Sequence, residues 1–172
     1  QQLEAYARRI GSPAPLRCSS PADLEELLRA HLQHIPFENL DVLLGLGISL
    51  ELDDIFAKLV TRRRGGYCFE HATLFRSVLQ SLGHAPQTHL ARVRLSASEE
   101  LIPPRTHMLL SVELGGQRHL VDPGFGGPGL RTPMPLDVGE HVDPEARFEL
   151  RKDGGEWWLY RHGSVELCLY HF

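Results

Sequence analysis

The chain has 172 residues, of which 42% are hydrophobic and 23% charged, and it carries a formal net charge of −4. This composition is close to the average of globular domains and excludes a disordered, fibrous or coiled-coil protein, while the length fits one domain or two small ones. A weakly acidic chain lacks the basic footprint of nucleic-acid-binding proteins. Its longest apolar stretch, Leu40 to Leu52, is too short and too interrupted to span a membrane. We therefore expect neither a nucleic acid nor a membrane among its partners.

Three cysteines, Cys18, Cys68 and Cys168, are spread evenly along the chain. An odd number cannot all pair, and this spacing is not typical of a disulfide framework. Disulfides persist in oxidising compartments, so the pattern favours a reducing one, and we expect the protein in the cytoplasm.

The first half of the chain has helical periodicity. A short amphipathic segment, Leu3 to Ile10, ends at Gly11. Ser20 then offers an N-cap, Pro21 suits the first helical position, and Asp23 places an acidic residue in the first turn. These signals predict the start of a second helix.

Two further helices are predicted before the periodicity changes. A capped helix begins at Asp53, and another runs from Cys68 to a glycine stop at Gly83. The apolar residues of the latter recur at intervals of three and four and form one buried stripe: Ala72, Phe75, Leu79 and Leu82. Cys68 would lie in the first turn of this helix.

The second half of the chain alternates between apolar and polar residues, which indicates short strands. The predicted strands are Ala91 to Leu95, Met108 to Leu114, Phe148 to Leu150, Trp157 to Tyr160 and Val165 to Tyr170. Helices followed by strands are typical of the α+β class. We predict a helical domain over residues 1–83, which carries Cys68, and a β domain over residues 84–172.

A two-residue hairpin is predicted at Gly115-Gly116, because both central residues of such a turn can need positive φ. The turn sets one register, with four facing pairs: Leu114 with Gln117, Glu113 with Arg118, Ser111 with Leu120, and Leu109 with Asp122. Opposite charges face each other in the second pair, which supports this register independently of the turn.

This register brings a histidine and an aspartate together. His107 is two residues from Leu109, so it lies on the same face as Asp122 as its diagonal neighbour, about 7 to 8 Å away at the backbone. Such a pair becomes catalytic when a nucleophile lies against the other ring nitrogen. Cys68 is the best candidate, because a helix N-terminus favours the thiolate and Arg62 to Arg64 make its surroundings positive. A cysteine at a helix start also suits a small buried hydrophobe.

Four motifs, in this order, resemble those of the arylamine N-acetyltransferases. They are Ile35-Pro36-Phe37-Glu38-Asn39-Leu40-Asp41, Arg64-Gly65-Gly66-Tyr67-Cys68-Phe69-Glu70, His107-Met108-Leu109-Leu110 and Val121-Asp122-Pro123-Gly124-Phe125-Gly126. The resemblance implies a catalytic triad of Cys68, His107 and Asp122, arranged as in the cysteine proteinases. It also implies a helical N-terminal domain followed by an antiparallel β-barrel domain, and a C-terminal α/β lid that this chain does not contain.

The resemblance further implies ping-pong transfer of an acetyl group from acetyl-CoA, through a cysteine thioester, to a small aromatic amine or hydrazine, with no metal. Phe69 and Phe125 flank triad residues and are expected to form the aromatic acceptor pocket together with Phe37, which would also suit a core position. The expected contacts to the coenzyme A donor are Thr106 and Gly126. Glu38 and Arg64 are expected to form a partly buried structural ion pair. The chain departs from the family pattern at Pro123, usually valine or alanine, and at Ala72, commonly asparagine.

Several other interpretations of the same residues remain open. His71, one turn after Cys68, could be the base, although a solvent-facing helical histidine is the simpler interpretation. Two C-x2-H pairs, Cys68 with His71 and Cys168 with His171, could ligate zinc. Cys168 lies in a predicted strand, however, and positions three apart on a strand point to opposite faces, so the second pair could not chelate the ion. The triad would also serve a thiol hydrolase or an amide synthase, and a lidless chain could bind aromatic ligands without turnover.

Overall fold

The computed structural model of the protein describes residues 1–12, 15–95 and 102–172. Within these ranges the helices precede the strands, as the α+β prediction requires. The helices are α1 (Gln2–Arg9), α2 (Pro21–His34), α3 (Leu40–Leu43), α4 (Leu52–Phe56), which continues as a π-helical turn over Ala57–Thr61, and α5 (Cys68–Ser81). The strands are β1 (Gln87–Val93), β2 (Arg105–Leu114), β3 (Gln117–Val121), β4 (Met134–Pro135), β5 (Gly139–Asp143), β6 (Ala146–Asp153), β7 (Glu156–His162) and β8 (Leu167–His171).

The start of α2 confirms the capping prediction. The Asp23 N–H donates to Ser20 Oγ at 3.2 Å, and the Ser20 N–H donates to Asp23 Oδ2 at 3.0 Å. The predicted cap at Asp53 is wrong, because α4 begins one residue earlier and its N-cap, Glu51, makes no side-chain bond. Asp53 instead lies in the first turn of α4, where the helix dipole stabilises a negative charge.

The strands form one antiparallel sheet in the order β4-β3-β2-β1-β8-β7-β6-β5. The two ends of this order approach each other, since Asp143 at the end of β5 accepts the N–H groups of Arg131 and Thr132, shortly before β4, at 2.8 Å. The sheet is therefore a nearly closed barrel, and the predicted fold class is confirmed. The division into domains at residues 83 and 84 stays a prediction.

Strand β2 separates two hydrophobic cores. Met108, Leu110 and Val112 pack into the core of the helical part, whereas Leu109 on the opposite face packs inside the barrel with Leu120. Both faces of β2 are thus buried, and His107 shares the barrel-side face with Leu109. In the described ranges, no helix has the length and apolarity needed to cross a membrane.

Candidate active site

The hairpin register is confirmed by the pairing of β2 with β3. Gly115 and Gly116 have φ values of 63° and 77°, as the turn requires, and the facing pairs include Leu114 with Gln117, Glu113 with Arg118, and Ser111 with Leu120. The Glu113 and Arg118 side chains approach to 3.7 Å at the surface. The register therefore follows from the local sequence.

His107 and Asp122 form the predicted pair. Asp122 directly follows β3, and its Oδ2 lies 2.9 Å from His107 Nε2. Both side chains are buried, with exposed fractions of 3% for His107 and 0% for Asp122. A buried carboxylate at this distance orients the imidazole and stabilises its charged form.

The electrostatic surroundings favour a positive charge on His107. Burial of the ring opposes this charge, but the Asp122 carboxylate, through its charge and its hydrogen bond, together with Cys68, raises the pKa of His107 to about 9. A pKa raised in this way favours the imidazolium form of His107 at neutral pH. Because Nε2 is bonded to Asp122, Nδ1 is the atom left to interact with Cys68.

Cys68 is the first residue of α5, as the sequence predicts, and it is 7% exposed. Its Sγ lies 3.5 Å from the backbone oxygen of Thr106, the residue before His107. The helix start is fixed by Glu70, whose Oε2 accepts the N–H of Tyr67 at 3.0 Å. Cys68 therefore lies at the N-terminal end of α5, where the helix dipole is positive.

Two further groups hold the Asp122 carboxylate. The Tyr170 hydroxyl donates to Asp122 Oδ2 at 2.8 Å, and the Gly124 N–H donates to Oδ1 at 3.3 Å. Tyr170 is fully buried on β8, and burial together with the Asp122 charge raises the pKa of its hydroxyl. Sequence reasoning missed Tyr170, because β8 is far from β3 in the chain and no local pattern links them.

Of the three aromatic residues predicted for the acceptor pocket, Phe37 and Phe125 line one cleft and Phe69 does not. The Phe125 ring lies 5.0 Å from the His107 ring, edge to face, and Phe37 is 43% exposed, so it is not a core residue. Both line a cleft of about 60 Å³ beside Asp122. Phe69 does not line this cleft, because it stacks on Tyr67 and packs against the helical core.

The two predicted coenzyme contacts lie near the triad. Gly126 lines the same cleft, and a β-carbon there would come within 3.0 Å of the Phe37 ring. Thr106 is exposed and touches Cys68 through its backbone oxygen.

Glu38 and Arg64 form an ion pair of 2.7 Å, and this pair belongs to a larger network. Asp41 accepts from Arg64 at 2.8 Å and lies 2.8 Å from Lys58, which in turn pairs with Glu70 at 2.8 Å. The network connects the segment after α2 to the start of α5. The sequence analysis did not predict the pairs that Lys58 forms with Asp41 and Glu70, because Lys58 is a buried residue in a segment that carries no motif.

The expectation that His71 faces solvent is wrong, since this residue is 1% exposed. Helix α5 packs against both β2 and α4, so more than one stripe is buried. His71 Nδ1 bonds to His31 Nε2 at 2.8 Å, and its Nε2 bonds to the Pro36 oxygen at 3.3 Å. His71 is therefore oriented by groups other than Cys68.

The C-x2-H pairs do not assemble a zinc site in the described part of the chain. The two pairs belong to different elements, α5 and β8, and their histidines have other partners. His171 Nδ1 lies 2.8 Å from Glu156, and His171 stacks on Trp158.

Comparisons with known proteins show which family has this sequence and fold. A family model described as N-acetyltransferase matches residues 22–171. The arylamine N-acetyltransferase of Escherichia coli (strain K12) is 41% identical over 160 residues, which cover 90% of this chain and 56% of that protein. The solved structure of the arylamine N-acetyltransferase from Salmonella typhimurium matches with a TM-score of 0.93 and 38% identity, over 100% of this chain and 63% of that one.

A third relative was solved with a ligand. The arylamine N-acetyltransferase of Mycobacterium marinum in complex with CoA matches with a TM-score of 0.91 and 34% identity, over 99% of this chain and 64% of that one. The chain thus spans between half and two-thirds of the length of these relatives. Sequence and fold agree, and the chain belongs to the arylamine N-acetyltransferase family.

Proposed function

We propose that the protein transfers an acetyl group from acetyl-CoA, through a thioester on Cys68, to the nitrogen of an arylamine or arylhydrazine. The observation that carries this proposal is the position of the buried His107 ring, which bonds to Asp122 at 2.9 Å and lies beside Cys68, whose sulfur contacts the backbone of Thr106. This arrangement keeps a nucleophilic sulfur beside its proton acceptor, and both side chains are buried.

In the first half-reaction, the Cys68 thiolate attacks the thioester carbon of acetyl-CoA. The carbon–sulfur bond to coenzyme A breaks, and His107 gives its proton to the departing sulfur. In the second half-reaction, the amine nitrogen attacks the acetyl-enzyme, His107 takes a proton from that nitrogen, and Cys68 leaves as the thiolate. Asp122 keeps the His107 ring in one orientation and stabilises its charge throughout. The Cys68 N–H at the start of α5 is our candidate for one oxyanion donor.

The donor and acceptor sites rest on different observations. The CoA complex of the Mycobacterium marinum relative supports acetyl-CoA as the donor, with Thr106 and Gly126 as proposed contacts near the thiol end. A cleft of about 60 Å³ is far below the usual size of a ligand pocket, roughly 300 to 1,000 Å³. It therefore suits one edge of an aromatic ring between Phe37 and Phe125.

We place the reaction in the cytoplasm, which three free cysteines support.

Intact-mass measurement after incubation with acetyl-CoA tests the proposal directly. We expect one added acetyl group, located on Cys68 by peptide mapping and lost when aniline is added. A Cys168→Ser variant serves as the matched control and should label like the wild type. Release of free acetate in place of acetylated aniline would favour the hydrolase interpretation and contradict the transferase.

Selective alkylation provides a second measurement that needs no substrate. Burial together with the nearby Asp23 charge raises the pKa of Cys18 to about 11, and burial also raises the pKa of Cys168. Cys68 instead lies beside His107, whose raised pKa favours the positively charged ring, so iodoacetamide at pH 7 should modify Cys68 far faster than the other two cysteines. Equal rates at all three would remove the activated thiolate from the mechanism.

A further inference from the structure

A series of hydrogen bonds runs through the helical core and ends on the backbone near Cys68. The Tyr6 hydroxyl lies 2.8 Å from His31 Nδ1, and His31 Nε2 lies 2.8 Å from His71 Nδ1. At the other end, His71 Nε2 lies 3.3 Å from the Pro36 oxygen. Tyr6 and His31 are fully buried and His71 is 1% exposed. The mechanism above uses none of these side chains.

The carbonyl at one end fixes the position of every proton in the series. The Pro36 oxygen can only accept, so His71 Nε2 carries hydrogen and His71 Nδ1 accepts from His31 Nε2. His31 Nδ1 then accepts from the Tyr6 hydroxyl. Burial lowers the pKa of both histidines, that of His71 to about 4, so both rings are neutral at neutral pH. The series therefore has one direction and ends on the backbone: His71 Nε2 bonds to the Pro36 oxygen, and Gly66 is a second backbone partner of the His71 ring.

Pro36 begins the segment that carries an aromatic wall of the cleft. Its oxygen also accepts the Gly66 N–H at 3.3 Å, and the Gly66 oxygen accepts the Glu38 N–H at 2.8 Å. Phe37, between them, forms an isolated parallel bridge with Gly66, two residues before Cys68. The Phe37 ring then lies against Gly126, in the loop that follows Asp122. The hydrogen bond from His71 thus acts on the backbone that places this ring.

His71 also contacts the opposite wall of the cleft. A β-carbon on Gly124 would lie 2.7 Å from His71 Cβ, which shows how closely the Asp122 loop packs on this histidine. The side chain lines the cleft together with Phe37 and Phe125. One buried side chain therefore packs on the Asp122 loop through its Cβ and bonds to the Phe37 segment through its Nε2.

We propose that His71 is a positioning residue for the aromatic acceptor, because its hydrogen bond to Pro36 holds the Phe37 ring against Gly126 and so keeps the cleft between Phe37 and Phe125 in the shape that takes an edge of the arylamine ring. This proposal rests on the proposed function for the identity of the acceptor. It differs from a catalytic role, since His71 bonds to His31 and to the Pro36 backbone and not to the reacting sulfur. The His71 side chain also lines the cleft, but the effect proposed here is its placement of Phe37. Loss of the bond should weaken acceptor binding and leave the acetylation of Cys68 by acetyl-CoA unchanged.

Two substitutions separate the bonds that His71 makes. In His71→Asn the side-chain amide can still bond to His31 but is too short to reach Pro36. In His71→Gln the longer side chain places an N–H donor near the position of Nε2 and can still reach Pro36. A third variant, Val78→Ala, removes buried apolar volume two turns further along α5 and is the control for general destabilisation.

Aniline is the probe, and its dissociation constant is measured by NMR titration of each variant of the 172-residue chain without acetyl-CoA. We expect His71→Asn to weaken aniline binding by about tenfold, the upper range for one hydrogen bond. His71→Gln and Val78→Ala should stay within about threefold of the wild type. In the steady state, the KM for aniline should rise in His71→Asn, while the burst of coenzyme A release should keep its rate.

The outcomes that overturn the proposal are distinct from a failure of the proposed function. Unchanged aniline affinity in His71→Asn, or an equal loss in Val78→Ala, would show that His71 only stabilises the fold. An equal loss in His71→Gln would show that the bond to Pro36 is not the cause. If the wild type forms no acetyl-enzyme, acetyl transfer fails, yet the aniline titrations still decide the role of His71. A wild type that binds no aniline overturns the positioning role as well.

Discussion

The Asp122 carboxylate accepts hydrogen bonds from His107, Tyr170 and Gly124, which come from three different parts of the barrel. The His107 bond follows from the hairpin, whereas the Tyr170 bond depends on the position of β8. Charge-assisted bonds to a buried carboxylate are stronger than neutral ones. The aspartate is therefore held by residues that do no chemistry as well as by the histidine that does.

Tyr170→Phe removes one donor from this carboxylate and changes little else. We expect the free energy of unfolding to fall by about 1.5 to 3 kcal/mol, the range for a hydrogen bond to a charged group. Urea denaturation measures this change. Tyr160→Phe, on the neighbouring strand β7 and only partly buried, should cost less than about 0.5 kcal/mol. A Tyr170→Phe protein as stable as the wild type would show that this bond contributes nothing net.

Cys68→Ser tests the nucleophile while keeping the size of the side chain. The serine hydroxyl has a far higher pKa than a thiol, so one imidazole cannot hold it as the anion, and we expect turnover to fall more than about a thousandfold. The thermal midpoint should stay within a few degrees of the wild type, as seen by circular dichroism. Turnover near the wild-type rate would exclude Cys68 from the mechanism.

At the scale of elements, the site depends on the close approach of the start of α5 to the loop after β3. A β-carbon on Gly124 would lie 3.0 Å from Cys68 Cα and 2.7 Å from His71 Cβ. Neither of these atoms is the end of a flexible side chain, so the backbone itself would have to move. Gly124 thus allows the close approach that brings Cys68 and Asp122 to the same ring, that of His107.

Gly124→Ala should therefore separate the nucleophile from the His107 and Asp122 pair. We expect both lower stability, by about 1 to 3 kcal/mol as for other overpacked sites, and slower alkylation of Cys68 by iodoacetamide. Gly47→Ala is the matched control, because its β-carbon would meet nothing within 4 Å. Equal alkylation rates in the two variants would contradict the argument from close approach.

At the scale of the whole molecule, the pKa values of buried histidines in the helical part and in the barrel are shifted in opposite directions. Interactions with Asp122 and Cys68 outweigh burial and raise the pKa of His107 to about 9, while burial lowers the pKa of His71 to about 4, from a common reference of 6.5. Burial also lowers the pKa of His31. The helical core thus keeps its histidines neutral, and the barrel keeps His107 charged.

These shifts predict that the free energy of unfolding is greatest near pH 6.5. Below that pH, His71 and His31 are protonated in the unfolded chain but stay neutral in the folded one. The free energy of unfolding therefore falls as the pH drops toward 4. Above it, folded His107 keeps a proton that the unfolded chain has lost, so its contribution disappears as the pH rises through 9. Urea titrations from pH 4 to 9.5 measure both limbs.

His107→Gln supplies the control for this pH profile, because it should flatten the alkaline limb and leave the acidic limb unchanged. His71→Gln should do the reverse in part, since His31 still titrates. A wild-type profile without a maximum between the two limbs would contradict the opposite shifts.

The sequence by itself determined the features that depend on local geometry. A two-residue glycine turn and a strand period of two place His107 and Asp122 on one face, and helix-start signals place Cys68 in a first turn. Periodicity, however, reports which face of an element is apolar and not what packs on it. For this reason the sequence misjudged His71, whose helix is covered on more than one side.

Only the tertiary structure decided the contacts between elements far apart in the chain. The Tyr170 bond to Asp122 needs β8 to join β1, and the series from Tyr6 to Pro36 needs three helical segments to meet. The approach of Gly124 to Cys68 needs the barrel to dock on α5. Such contacts depend on how two cores pack around β2, and no local pattern encodes them, because each residue's propensity and periodicity are the same whichever partner it meets.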